Sequence, residues 1–222
     1  MWQLRLRRLA YRRRVAGTDL QRCWQAPLPA TGKDWRQVSF LVVDAEMSSL
    51  DVNKGELLSV GWVAVEGGGI SLDSACHHLV RPENSVGQSA AIHSLRDCEL
   101  GEAQSGAEVL AHLLRVAAGK VLVFHNAALD MAYLDRVSKS VFNAPLLLPV
   151  VDTLLQEQCL MRRRDQPVKP GDLRLHACRT RYHLPVYQGH NALLDALATA
   201  ELLIAMAAHR SGGRLFSLRQ LL

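Results

Sequence analysis

The chain has 222 residues, of which 49% are hydrophobic and 21% charged, with a formal net charge of +5. This is ordinary globular composition and enough chain for one domain with a sizeable core, and no run approaches the roughly 18 apolar residues of a membrane span. The five cysteines are odd in number, scattered and never in a C-x-x-C pair, which argues against a disulfide framework or a cysteine-rich zinc site and fits a reducing cytoplasm.

The positive charge is concentrated at the start. Arg5, Arg7, Arg8, Arg12, Arg13 and Arg14 all precede the first acid, Asp19. No apolar stretch follows them, so a secretory signal is not expected. Trp2, Leu4, Leu6, Leu9 and Tyr11 form no clean helical stripe, leaving the arm either a packed element or a polyanion-binding one. Residues 20–37, with Pro27, Pro29, Gly32, Trp24 and Trp35, read as a linker, dividing the chain into a basic arm and linker (1–37) and a domain (38–222). That domain opens with strands at 38–46, 56–65 and 70–80, the last two joined at Gly67-Gly68-Gly69, the signature of a hairpin. A helix at 105–118 follows from the spacing of Val109, Leu110, Leu113, Leu114 and Ala117, then a buried strand at 120–124. Next come a helix at 128–140, a short strand at 146–151, and helices at 152–161, 172–182 and 191–209. The arginine-rich stretch 161–169 reads as a loop. Three strands followed by alternating helices and strands give an α/β sheet of mixed direction.

Three segments place acids beside apolar stretches, where an ionised carboxylate is costly without a counter-charge. Asp44 and Glu46 lie two apart on a strand and so project from one face. Asp130 falls in the first turn of the helix after strand 120–124, with His125 and Asn126 in the connecting turn. His190 and Asp195 sit at the start of the last long helix. Taken singly, each acid has an ordinary explanation as a loop residue or a helix-dipole partner. Their joint occurrence at the ends of elements of one sheet does not, because ligands of open α/β sheets gather at strand ends. A metal ion is the natural counter-charge.

The three ordered motifs VVDAEMSSL, HNAALD and HNALLD closely resemble the DEDDh branch of the 3′-to-5′ exonucleases, the family of the DNA polymerase III epsilon proofreading subunit, over roughly residues 39–208. The resemblance implies a ribonuclease H-like fold, a mixed five-stranded sheet flanked by helices. It also implies two Mg²⁺ or Mn²⁺ ions held by Asp44, Glu46, Asp130 and Asp195, with His190 as the general base. Hard carboxylate oxygens suit those ions, and a histidine suits proton transfer near neutrality. The turn after Glu46 would grip the terminal nucleotide through Met47, Ser48 and Leu50, assisted by His93 and Asn126. Ser49 and Ser94 stand where the family usually has glycine, and a non-glycine residue resists positive φ, so an altered grip is expected. The implied substrate is single-stranded nucleic acid with a free 3′ end, DNA ahead of RNA, with a DNA polymerase as a possible partner. An exoribonuclease shares these acids, and Met47 after Glu46 resembles that branch; a polymerase-accessory module with an idle site is the non-enzymatic alternative. An unrelated Mg²⁺ phosphatase would need another phosphate cradle, and no Gly-rich P-loop is present.

Overall fold

The computed structural model describes residues 2–82, 103–187 and 189–222. Strands β1 (Phe40–Met47), β2 (Leu57–Glu66), β3 (Gly69–Leu79), β4 (Val121–Phe124) and β5 (Val150–Asp152) form one sheet in the order β3-β2-β1-β4-β5. β2 runs antiparallel to β1 and β3, while β4 and β5 run parallel to β1 and to each other. The sheet is mixed, five-stranded and flanked by helices, as the alternation of elements implied. β2 is buried at every position but Glu66, because helices cover both sheet faces. β3 alternates between exposed and partly buried residues, the pattern of an edge strand.

One face carries Leu41, Val43, Val60, Trp62 and Ala64 and packs under helices α3 (Gly106–Ala117) and α4 (Ala127–Phe142). The other carries Phe40, Val42, Val63 and Val65 and packs under the long helix α7 (Ala192–Ser211). Helices α5 (Thr153–Arg163) and α6 (Leu175–Arg181) lie between these in sequence, and α8 (Leu218–Leu221) closes the chain. By length and a window hydropathy of 1.5, α7 is apolar enough to cross a membrane. Half of that window is buried against the sheet and helices, so its apolarity is that of a core helix.

The arm, whose role the sequence left open, is helical at α1 (Trp2–Leu9). Three expectations need correction. The start of the linker is a helix, α2 (Asp19–Gln25). α2 has the Thr18 hydroxyl as its cap, and Leu20 and Cys23 enter the main core. Arg8, not an apolar stripe, fastens α1: its guanidinium donates to the Leu147 carbonyl at 2.9 and 3.0 Å and to the Trp24 carbonyl at 3.0 Å. The short strand begins at Val150 rather than Leu146, because Leu147 has φ +46° and the Leu146 N–H donates to the Asp135 carboxylate instead of a ladder partner. Residues 161–163 finish α5 before the loop begins.

Candidate active site

β1 ends in a register shift between Glu46 and Met47, and the two acids stand on its last turn of pleat, on the α7 side. α7 is brought onto them by a glycine. Gly61 pairs with Asp44 across the β1–β2 ladder, and a Cβ there would fall 2.3 Å from the Leu193 nitrogen. Only a bare backbone lets the first turn of α7 rest on β2 at this point. Asn191 caps that turn, its side-chain oxygen accepting from Leu193 and Leu194 N–H at 3.1 Å, and Asp195 follows one turn on. Ligand atoms of Asp44, Glu46 and Asp195 consequently lie within 4.8 Å of one another. Asp130 reaches the same strand end from α4. It is 5% exposed and accepts the Ala45 N–H at 3.0 Å.

This clustering is electrostatically expensive. Burial, then the charges of Asp130, Asp195 and Glu46, push the Asp44 carboxyl well above its ordinary range. Burial and the neighbouring Asp195 and Asp130 raise Glu46 to about 7. Asp130 is raised to about 7 mainly by burial, against the Ala45 hydrogen bond. Asp195 is raised by burial and held down in part by the His190 N–H, which donates to it at 2.9 Å. Carboxylates so placed stay ionised together only with a compensating cation, and an all-oxygen donor set fits Mg²⁺ or Mn²⁺.

His190 sits in the left-handed region at φ +68° and is exposed in a cleft of about 1030 Å³, whose walls include Asp44, Asn126, Lys169, Arg174 and Asp195. Its segment is anchored from below. The buried Arg179 of α6 donates to the Pro185 carbonyl and pairs with Glu201 of α7 at 2.7 Å, and it also reaches the Ala198 carbonyl. The Tyr187 hydroxyl adds a 2.7 Å bond to Glu201. On the opposite wall, the Asp152 carboxylate caps α5 and accepts the N–H groups of Asn126 and Ala127, holding the β4–α4 turn that carries Asn126 at φ +77°.

A family model described as Exonuclease, RNase T, matches residues 41–203, which span the carboxylates, the histidine and every strand but the first residue of β1. The chain belongs to the RNase T exonuclease family. The PolC-type DNA polymerase III of Thermotoga maritima is 28% identical over 167 residues, 75% of this chain and 12% of that polymerase. The DNA polymerase III subunit epsilon of Treponema pallidum is 26% identical over 188 residues, 80% of this chain and 83% of that subunit. Among solved structures, E. coli Exonuclease I in complex with a 5cy-dT13 oligonucleotide superposes with a TM-score of 0.64 at 13% identity, over 82% of this chain and 42% of that one. Cell-death related nuclease 4 gives 0.65 at 14% identity, over 80% and 65% of the two chains. The exonuclease chain thus spans about an eighth of the PolC-type relative and under half of Exonuclease I.

The segment after Glu46 in this exonuclease is pinned from α4. The Tyr133 hydroxyl donates to the Ser49 and Asp51 carbonyls at 2.6 and 3.2 Å, and Arg136 reaches the Val52 carbonyl and the Glu56 carboxylate. Ser49 is absent from the positive-φ residues among those described, so serine fits this turn without the strain expected of it. Met47 packs on the main core, and the Ser48 hydroxyl accepts the Glu56 N–H at 2.8 Å and borders a second depression with Asn53 and Gly55. Leu50 is 83% exposed. His93 lies outside the described residues. Gly61, Asp152 and Arg179 went unrecognised in the sequence. Asp152 carried a signal, an Asp directly before a helix; Gly61 and Arg179 matter only through contacts made in space.

Proposed function

We propose that this protein is a two-metal 3′-to-5′ exonuclease that removes nucleoside monophosphates from the end of single-stranded DNA. The observation that carries the reading is the convergence of Asp44, Glu46 and Asp195 within 4.8 Å, in a cleft that also holds His190. When bound, a pair of Mg²⁺ or Mn²⁺ ions stabilises the attacking and leaving oxygens of an in-line displacement. Asp44, Glu46 and Asp195 would hold one ion, Asp44 would reach the second as well, and Asp130 would support that second ion through water. His190, exposed in the cleft beside Asp195, would take the proton of the attacking water. Lys169 and Arg174 on the cleft wall suit backbone phosphates. Val168 and Val186, exposed along the same wall, suit the faces of unstacked bases. Ser48 and Leu50 would read the 3′ end, with Met47, Asn126 and His93 assisting. The names of the polymerase relatives support DNA over RNA, a DNA polymerase partner and a cytoplasmic setting.

The test uses 5′-labelled single-stranded DNA and RNA, each with Mg²⁺, Mn²⁺ or EDTA. A ladder shortening from the 3′ end of DNA, abolished by EDTA and by Asp195→Asn, is expected. Faster RNA digestion would move the substrate to RNA. Internal cleavage, 5′ shortening, or full activity in EDTA would overturn the mechanism.

A further inference from the structure

The sheet face opposite the carboxylates carries a second cluster of metal-ligating atoms. Cys76 and His78 are two apart on β3 and so share a face, and Cys76 pairs across the ladder with Trp62, which packs on the α3 side. α3 delivers His112 to the same place. The Cys76 Sγ lies 3.2 Å from His78 Nε2, and His78 Nε2 lies 2.9 Å from His112 Nδ1. All three ligand atoms fall within 4.8 Å of one another.

Hydrogen bonding alone serves this arrangement poorly. An imidazole nitrogen offers either one N–H or one lone pair, directed in the ring plane. His78 Nε2 cannot satisfy both a thiol and a second imidazole at such distances, whichever tautomer is chosen. One cation at the centre satisfies all three. For a tetrahedral ion with bonds of about 2.3 Å to sulfur and 2.0–2.1 Å to nitrogen, ligand atoms stand about 3.4 to 3.6 Å apart. Opening the two short contacts by about half an ångström through small side-chain rotations reaches that geometry. The rings are already held in place: Trp62 packs against His78 and His112 at centroid distances of 4.9 and 5.2 Å, and the two imidazoles meet edge-to-face at 5.0 Å. A depression of about 470 Å³, bordered by Cys76, His112, Asp73 and Ser74, lies against two of the three ligands.

We propose that Cys76, His78 and His112 form a binding site for a borderline-soft divalent transition metal, Zn²⁺ in preference to Mg²⁺, which cross-links edge strand β3 to helix α3. Thiolate and imidazole select such an ion, whereas the all-oxygen centre on the other face selects hard ions, so the two sites are separable by metal chemistry. Closing the link across β3 and α3 would fasten the outer edge of the sheet, and the proposal does not depend on nuclease activity.

The experiment uses the full chain freed of metal by chelation, with Asp195→Asn as the background that disables the carboxylate centre. Co²⁺ should then produce the thiolate-to-metal charge-transfer absorption, lost in Cys76→Ser and weakened in His112→Ala. Zn²⁺ but not Mg²⁺ should raise the melting temperature of the background protein. No charge-transfer band at excess Co²⁺, or a band undiminished in folded Cys76→Ser, would overturn the site. Should Cys76→Ser fail to fold, alkylation of Cys76 in the unaltered protein decides the matter. It should slow about tenfold when free Zn²⁺ stands tenfold above its Kd, and an unchanged rate refutes the proposal.

Discussion

Replacing Gly61 by alanine is the most direct test of how the fold assembles its carboxylates. The added Cβ would lie 2.3 Å from Leu193 N, 2.4 Å from Ala192 C and 2.5 Å from Leu193 Cα, where ordinary contact begins at 3.4 Å. All three are backbone atoms of the first turn of α7, so no rotamer change relieves the clash. Either α7 lifts by about 1 Å or β2 shifts into the core, and overpacking of this kind costs about 1 to 3 kcal/mol, sometimes more. For a protein of this size that is a fall in melting temperature of roughly 2 to 12 °C. Asp195 rides on the displaced turn, and a misplacement of about 1 Å at a reacting centre can lower the rate about 10²-fold. Gly189→Ala is the control, because its Cβ would meet Asp195 only at 3.8 Å, within ordinary contact range. Thermal melts and single-turnover cleavage of a DNA oligomer with Mg²⁺ would be measured for both variants. A Gly61→Ala protein as stable and as fast as Gly189→Ala would refute the claim that this glycine seats α7.

The metal-free protein should lose stability as pH rises from about 5 to 8. Glu46 is raised from 4.5 to about 7 on folding, so its favourable contribution is complete below 4.5 and disappears through 7. At 1.36 kcal/mol per unit the limit is about 3 kcal/mol, and solvent in the open cleft reduces it to about 1 to 2 kcal/mol. Asp44 and Asp130 shift in the same direction; chemical melts in EDTA check this, and stability that rises with pH contradicts it. His190→Ala should lower the cleavage rate by about 10² to 10⁴ with little change in Mg²⁺ affinity, as measured by rates at saturating metal and by calorimetry. A defect confined to metal binding would make His190 a ligand. Arg8→Ala should destabilise the fold by about 2 to 4 kcal/mol, because it strips the Leu147 and Trp24 carbonyls of charged donors. An unchanged denaturation midpoint would show that the arm is not structurally required.

Local chemistry was legible in the chain itself. The triple glycine marked the hairpin between the second and third strands, and the two-residue spacing of Asp44 and Glu46 set both on one face, because these regularities follow from backbone geometry and need no partner. The ordered motifs also located Asp130, His190 and Asp195, since each sits at the beginning of an element whose sequence announces it. What sequence could not supply was any property that arises between distant segments. The arm's docking rests on a guanidinium meeting the carbonyl of Leu147, and the strand expected from Leu146 was lost to the Asp135 carboxylate. Cys76 and His78 looked like scattered residues until α3 placed His112 against them from 34 positions away. Gly61 gave no signal at all. Its meaning lies in the absence of a side chain where two backbones touch, and only the tertiary structure, which decides which backbones approach, can show that.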